Sequence, residues 1–298
     1  MASLMIPGPS GSPPRRKPLL WGGFFTGVGS VAAILISGRL FSVFTPQSLL
    51  RTTPGYSFVL AALAGATLWI LVATIVRLPV SSTHAIVGAM VLLGVYAFGT
   101  SGVQWDFLLY RVVLPLAGGP IAALVAVYFL DRFTRRTSAP GKERPRLMHV
   151  AHWGSGAATA FARGINDAPK MAALGAFFLL ANPSEATWVP YSVVAVAVFF
   201  GSIVLGHRVV VTAIGKHAPL DQVQKSKAGA ATALVVSAGA FLGAPMSTTQ
   251  VHEGSSAGIG GRRKEVQSTL GRMLLPWLVT LPGAGIFAIA VSYLGTMI

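Results

Sequence analysis

The chain has no cysteine among its 298 residues, and only 8 are acidic against 23 lysines and arginines. Without thiols there is no disulfide and no thiolate metal site, and nothing more follows about compartment. No nucleophile–base pair or metal-ligand cluster recurs at catalytic spacing, so an enzyme is not expected, nor a bound metal or cofactor. The first 18 residues lack the apolar core of a signal peptide. They are rich in Pro, Gly and Ser, carry Arg15, Arg16 and Lys17, and read as a disordered cytoplasmic tail. Charge of either sign is scarce, at 10% of residues, and Tyr56–Val76, Val112–Leu130 and Met273–Leu294 have none.

What is abundant is apolar: 53% of residues, with a mean hydropathy of +0.67. Runs that approach or exceed the roughly 20 residues needed to span a bilayer mark a multi-pass protein of a cell membrane. A net charge of +15 could suggest nucleic acid, but the basic residues sit between apolar runs rather than along one face. Segment 131–149 holds Arg132, Arg135, Arg136, Lys142, Arg144 and Arg146 against Asp131 and Glu143, as the positive-inside rule expects of a cytoplasmic loop. With that loop inside, Arg77, His207-Arg208 with Lys216, Lys225 and Lys227, and Arg262-Arg263-Lys264 also fall inside. Segments 39–55, 99–106 and 182–188 fall outside.

One polar phrase occurs twice. Pro79-Val80-Ser81-Ser82-Thr83-His84-Ala85-Ile86-Val87-Gly88 returns 166 residues later as Pro245-Met246-Ser247-Thr248-Thr249-Gln250-Val251-His252-Glu253-Gly254. Each copy follows an apolar run and sets a helix breaker ahead of three hydroxyl side chains. Irregular backbone at membrane depth is tolerated only where protein or a cavity encloses it. Two such sites in halves of opposite direction point to a transporter's substrate site. Leu114-Pro115 matches Leu281-Pro282 and Gly38-Arg39 roughly matches Gly206-His207-Arg208, so the offset stays near 166–168. The expected fold is all-α: an inverted-repeat transporter with discontinuous helices and about nine crossings. Its first repeat is 19–130, its linker 131–149 and its second repeat 150–298.

Segment 150–181 has no counterpart, because subtracting the offset places its partner before Met1. We expect that counterpart to be absent, through a start placed too late or a truncation. The segment contains Gly164-Ile165-Asn166-Asp167-Ala168-Pro169-Lys170. An acid and a proline in an apolar stretch suggest a helix broken at Asn166-Asp167, with Asp167 capping a second half-helix whose N–H groups form an ion site. The alternative is an ordinary turn with Asp167 paired to Lys170 or Arg163.

Ser81, Ser82, Thr83, Ser247, Thr248 and Thr249 form an uncharged cradle for an oxyanion, although transmembrane Ser and Thr also bond helix carbonyls at i−4. His84 and Gln250 occupy equivalent positions and are accessory candidates. His252 and Glu253 replace Ile86 and Val87 and could face an aqueous cavity, form a proton relay or be a solvated pair. Trp69, Trp105, Trp188 and Trp277 read as an interfacial belt, and Arg111 and Arg272 as snorkelling side chains.

With these phrases in place, the chain resembles the PiT family of inorganic phosphate transporters over most of residues 20–296. The motifs that carry the resemblance are Leu78–Gly88, Pro245–Gln250 and Gly164-Ile165-Asn166-Asp167. The resemblance implies symport of phosphate, or in some members sulfate or a metal–phosphate complex, driven by sodium or protons. It implies ion and phosphate contacts for Asn166 and Asp167, and phosphate contacts for the six hydroxyl residues. Three departures stand out: the first Asn-Asp motif is missing, Lys170 stands where many members have a neutral residue, and His252-Glu253 replaces a small or apolar pair. Lys170 could stand in for a sodium ion or meet the anion directly. The partners expected are inorganic phosphate or a related oxyanion, membrane lipid and a second copy of the chain, with no nucleic acid. A sulfate permease and a non-transporting paralogue or subunit are the competing readings.

Overall fold

In a computed structural model, which describes residues 16–76, 78, 80–135, 145–179, 188–206, 220–260 and 263–295, each uncharged run is helical. A helix satisfies its backbone within one segment, which hydrocarbon surroundings demand. The long elements are α1 (Arg16–Ile36), α4 (Tyr56–Ile75), α5 (Ser82–Phe98), α7 (Leu114–Arg135), α8 (Pro145–Leu179), α9 (Trp188–Val204), α10 (Gln222–Leu242), α11 (Thr248–Gly260) and α12 (Arg263–Gly295). Short helices α2 (Gly38–Val43), α3 (Pro46–Leu49) and α6 (Trp105–Leu108) fill the connectors, and a π-helical turn at Leu109–Val113 leads into α7. Among the described residues extended pairing is limited to one antiparallel bridge, Leu50 with Val103. Among the described residues, four helical stretches are long and apolar enough to cross a membrane: Lys17–Ile36, Tyr56–Ile75, Trp105–Thr134 and Leu278–Gly295. Residues 1–15, Arg77, Pro79, Arg136, Lys142, Glu143, Arg144, the connector 182–187, His207, Arg208, Lys216 and Arg262 lie outside the described residues.

Relative directions can be read from close contacts. α1 and α8 are parallel: the Trp21 indole N–H donates to the Trp153 carbonyl at 3.2 Å, and the Ser37 hydroxyl donates to the Ile165 carbonyl at 2.8 Å. α9 runs back along α1, with Ser202 against Gly23 and Ala195 against Gly27. α8 and α10 are parallel, joined where Thr159 Oγ1 donates to the Gly229 carbonyl at 2.9 Å. α4 is antiparallel to α12, Gly65 facing Ala288 and Trp69 facing Gly283. These are the directions that alternation of the basic clusters gives.

The two halves pack reciprocally. The helix after the first polar phrase, α5, lies along α12, the last helix of the second repeat. The helix after the second phrase, α11, lies along α7, the last helix of the first. Gly88 and Gly254, which occupy the same place in the two phrases, make both contacts possible. A β-carbon on Gly88 would overlap the Leu281 carbonyl, and one on Gly254 the Pro120 carbonyl.

α4–α5 and α10–α11 are therefore hairpins. α5 is parallel to α12, with Gly88 at Leu281 and Leu92 at Gly285, so the α4–α5 tip points to the side on which α11 ends and α12 begins. The hairpins thus open to opposite sides, yet Thr83 Oγ1 at one tip lies 3.1 Å from the Met246 carbonyl at the other. Tips entering from opposite sides of a ~30 Å hydrocarbon layer can touch only if at least one stops short of the far side.

One expectation is corrected. α8 does not break at Asn166-Asp167; it continues from Pro145 to Leu179 with Pro169 inside it. Proline removes the N–H that would pair with the carbonyl four residues earlier, here Ile165, and the Ser37 hydroxyl supplies the missing donor from α2's N-cap. Asp167 therefore caps no half-helix. The loop 131–149 is helical at both ends, because α7 runs to Arg135 and α8 starts at Pro145. Trp69 packs between helices: its indole lies over Gly283, with its ring centroid 6.2 Å from that of Phe287.

Candidate functional site

Each hairpin tip is built the same way. Three residues after each phrase's proline position a helix starts, α5 at Ser82 and α11 at Thr248. The first turns close equivalently, with the Ala85 N–H donating to the Ser81 carbonyl at 3.0 Å and the Val251 N–H to the Ser247 carbonyl at 2.9 Å. Ser81 is the N-cap of α5, and its hydroxyl accepts from the His84 N–H at 3.4 Å. On the second hairpin α10 ends at Gly243, whose φ of 75° is left-handed and favours glycine. A Cβ there would also approach Arg39 Cβ to 2.9 Å. The Met246 side chain then fits a slot beside Gly239 and Gly119, where added β-carbons would each come within 2.6 Å of it.

α8 reads both tips. The Asn166 carboxamide grips the Met246 peptide from two sides, with Nδ2 donating to its carbonyl at 2.9 Å and Oδ1 accepting its N–H at 3.1 Å. The carboxamide so replaces the helix hydrogen bonds that the Met246 main chain lacks at the tip. Nδ2 also donates to Asp167 Oδ1 at 2.9 Å and lies 3.5 Å from Thr248 Oγ1. One turn along, the Lys170 ammonium donates to Thr83 Oγ1 at 2.6 Å, the Met246 carbonyl at 3.0 Å and Asp167 Oδ1 at 3.2 Å. Thr83 Oγ1 donates in turn to the Met246 carbonyl. Lys170 and Asn166 are fully buried, Thr83 nearly so. A buried cation is costly unless its donors are all met, and an ammonium has three. Here all three have oxygen acceptors.

Asp167 stands between two cations, Lys170 and Arg163, whose Nε is 3.4 Å from Asp167 Oδ2. The pairing offered as the alternative to a helix break is thus present, with both bases, on an unbroken helix. One carboxylate against two bases gives the cluster a net formal charge of +1.

The sequence candidates fall into two groups. Asn166, Asp167, Lys170, Thr83 and Thr248 are joined by the contacts above. Ser81, His84, Ser247 and Gln250 are buried on the same tips, and Ser247 Oγ has no hydrogen-bond partner among the described residues. Ser82 is half-buried, Thr249 is exposed, and Glu253 sits half-buried on the second turn of α11. Sequence reasoning missed Met246, whose contribution is main chain and so invisible to residue type. It also missed Phe44, whose ring centroid is 5.9 Å from the Lys170 ammonium, and Ser37. Pro169 did carry a signal for Ser37, since a proline inside a helix calls for an outside donor.

Two hairpins of opposite direction, their interrupted tips meeting against a polar helix, define an inverted-repeat membrane transporter fold. The chain matches the model of the phosphate transporter family over residues 16–143 and 132–288, and it belongs to that family. A Mycobacterium bovis protein described as a "probable low-affinity inorganic phosphate transporter" is 32% identical over 244 residues, 76% of this chain and 57% of the relative. A Bacillus subtilis protein of the same description is 29% identical over 240 residues, 76% of this chain and 71% of the relative. The chain thus spans little more than half the length of the mycobacterial protein. Among solved structures, one titled "The sodium-dependent phosphate transporter" superimposes with a TM-score of 0.78 at 19% identity, covering 95% of this chain and 90% of the other. That likeness shows a shared fold.

Proposed function

We propose that this protein carries inorganic phosphate across a cell membrane by symport, with the repeats 19–130 and 150–298 rocking about the hairpin tips. The observation that carries the proposal is the meeting of both repeated phrases at Asn166, Asp167 and Lys170. The net positive charge there suits an anion. First-turn N–H groups of α5 and α11 and the hydroxyls of Ser81, Ser82, Thr83, Ser247, Thr248 and Thr249 supply neutral donors. Ser247 is the strongest of these, because its hydroxyl is buried and has no hydrogen-bond partner among the described residues. Asn166 positions the second tip, Lys170 contributes charge, and Asp167 belongs to the cation-coupling part of the site, with sodium or a proton as the coupling ion. His84, Gln250 and Glu253 are accessory. The descriptions of the mycobacterial and Bacillus relatives support phosphate as the anion.

Uptake of labelled phosphate into proteoliposomes tests this reading. Saturable uptake above empty vesicles is expected, driven by an imposed cation gradient, weakly inhibited by sulfate and reduced about tenfold or more by Ser247→Ala. Equal competition by sulfate would reassign the anion, and absence of uptake would leave a non-transporting subunit. Lipid surrounds the exposed apolar residues of α1, α4 and α9. A second copy of the chain, also proposed, is tested by native mass spectrometry from nanodiscs.

A further inference from the structure

We propose that the Lys170 ammonium is a resident cation, filling a seat that would otherwise take a small monovalent metal ion such as sodium. The inference rests on the transport reading of the site and specifies its ion requirement.

Oxygens from three elements surround the ammonium nitrogen. Its three oxygen neighbours are a hydroxyl from the first hairpin (Thr83), a main-chain carbonyl from the second (Met246) and a carboxylate from α8 (Asp167). Carboxylate, carbonyl and hydroxyl are hard donors, the set that hard cations select. A carbonyl exposed by a broken helix and aimed at a cation is how discontinuous transporter helices hold coupling ions. The site therefore has the oxygens of an ion-coordination shell, drawn from both repeats and from all three elements that meet at the tips. The ammonium sits among them with each N–H satisfied and no accessible surface, over the face of Phe44. Arg163 approaches the same carboxylate only from its other oxygen, so Lys170 alone occupies the shared position.

Three consequences follow. The tips are bridged by a covalently tethered cation, so no dissolved ion is needed at this position. Phosphate uptake by the wild type should be indifferent to replacing sodium with choline. Removing the ammonium should expose the oxygens and create a sodium requirement that the wild type lacks.

Thermal unfolding of the purified full chain in detergent is measured in sodium chloride and in choline chloride at equal ionic strength, for wild type and Lys170→Met. Wild type is expected to melt at the same temperature in both salts. The variant is expected to show a saturable rise with sodium, on the order of 3 °C at ten times the dissociation constant. Lys170→Gln is run alongside in case an apolar chain prevents folding. A saturable sodium shift in wild type overturns the proposal, and so does a folded variant indifferent to sodium. Failure of both variants to fold in sodium also overturns it, because sodium should then replace the lost charge. The measurement needs no transport. A sodium shift in the variant with no phosphate uptake by wild type would sink the proposed function and leave this inference standing; uptake with no shift would do the reverse.

Discussion

The two hairpins share a frame and differ in what fills it. Both bring a glycine hard against the opposite repeat, at Gly88 and Gly254, and both begin their second limb three residues after the proline position. Behind the tips they diverge. In α10 and α11, Thr232 Oγ1 lies 3.1 Å from Ser255 Oγ and 3.3 Å from His252 Nδ1, and Ser256 Oγ lies 3.4 Å from His252 Nε2. The positions 166 residues earlier are Ala66, Ala89, Ile86 and Met90, all buried and all apolar. The first hairpin is thus a dry wedge held by packing, and the second carries a polar seam. Polar groups at membrane depth are costly and mark function by default. The tips differ in the same sense: the first is held by a side chain, Thr83, and the second by its own main chain at Met246. A duplicated scaffold has kept its geometry while its chemistry has been divided.

The largest expected effect comes from cutting the link that serves the second tip. Asn166→Leu removes both carboxamide contacts to the Met246 main chain and leaves its N–H unsatisfied, at about 1–3 kcal/mol, while the carbonyl keeps Lys170 and Thr83 as donors. Phosphate uptake should fall about 100-fold, and amide exchange at residues 244–248 should rise while residues 80–84 change little. Equal loss of protection at both tips would break the distinction between main-chain and side-chain anchoring.

Next in size are the glycines. Gly88→Ala and Gly254→Ala each drive a methyl into a backbone carbonyl with no flexible side chain to yield, at roughly 3 kcal/mol by overpacking. The frame predicts that the two variants lose similar stability in a detergent melt. A difference of more than about 2 kcal/mol would mean that the reciprocal contacts are not energetically equivalent. Thr83→Val follows. It deletes the first tip's bond to the Lys170 ammonium, worth about 1.5–3 kcal/mol for a charged donor, and should lower uptake without altering exchange at 244–248.

The apolar frame was legible in the sequence because spans, basic loops and an offset near 166 are all one-dimensional signals. The tips were legible for the same reason: proline followed by hydroxyls, twice. Asp167 stood out as an acid in apolar surroundings with Asn166 beside it, Lys170 as a departure from the family resemblance, and they do converge with Thr83. What failed was local. Pro169 argued for a break because the proline's cost is intrinsic, whereas its remedy, the Ser37 hydroxyl, reaches the orphaned Ile165 carbonyl from 128 residues away in the chain. Thr249 was grouped with its neighbours by motif, yet successive residues at a helix start point about 100° apart, and this one is exposed. Met246 could not be found by residue type at all, since its contribution is a peptide group that every residue has.

The smallest effect distinguishes the hairpins at their open ends. Lys227 near the start of α10 reaches across to α7, where its ammonium lies 2.9 Å from Asp131 Oδ1. The equivalent position on the first hairpin is Ala61, so that hairpin has no ionic tie at this level. Both side chains of the pair keep 13–15% of their surface exposed, so water screens part of the attraction. Asp131 also has interactions beyond Lys227, so losing one partner does not strand it. A double-mutant cycle of Lys227→Met and Asp131→Asn is therefore expected to give a coupling of about 0.5–1 kcal/mol. Raising salt from 0.1 to 1 M shortens the screening length from about 10 to about 3 Å and should reduce that coupling further. Phosphate uptake should be unchanged within about twofold, because the pair lies at the far end of α10 from Met246. A coupling above about 2 kcal/mol that salt leaves untouched would show that the second hairpin is anchored at its base as well as its tip, and the contrast with the first would then lie in the whole hairpin rather than in its polar seam.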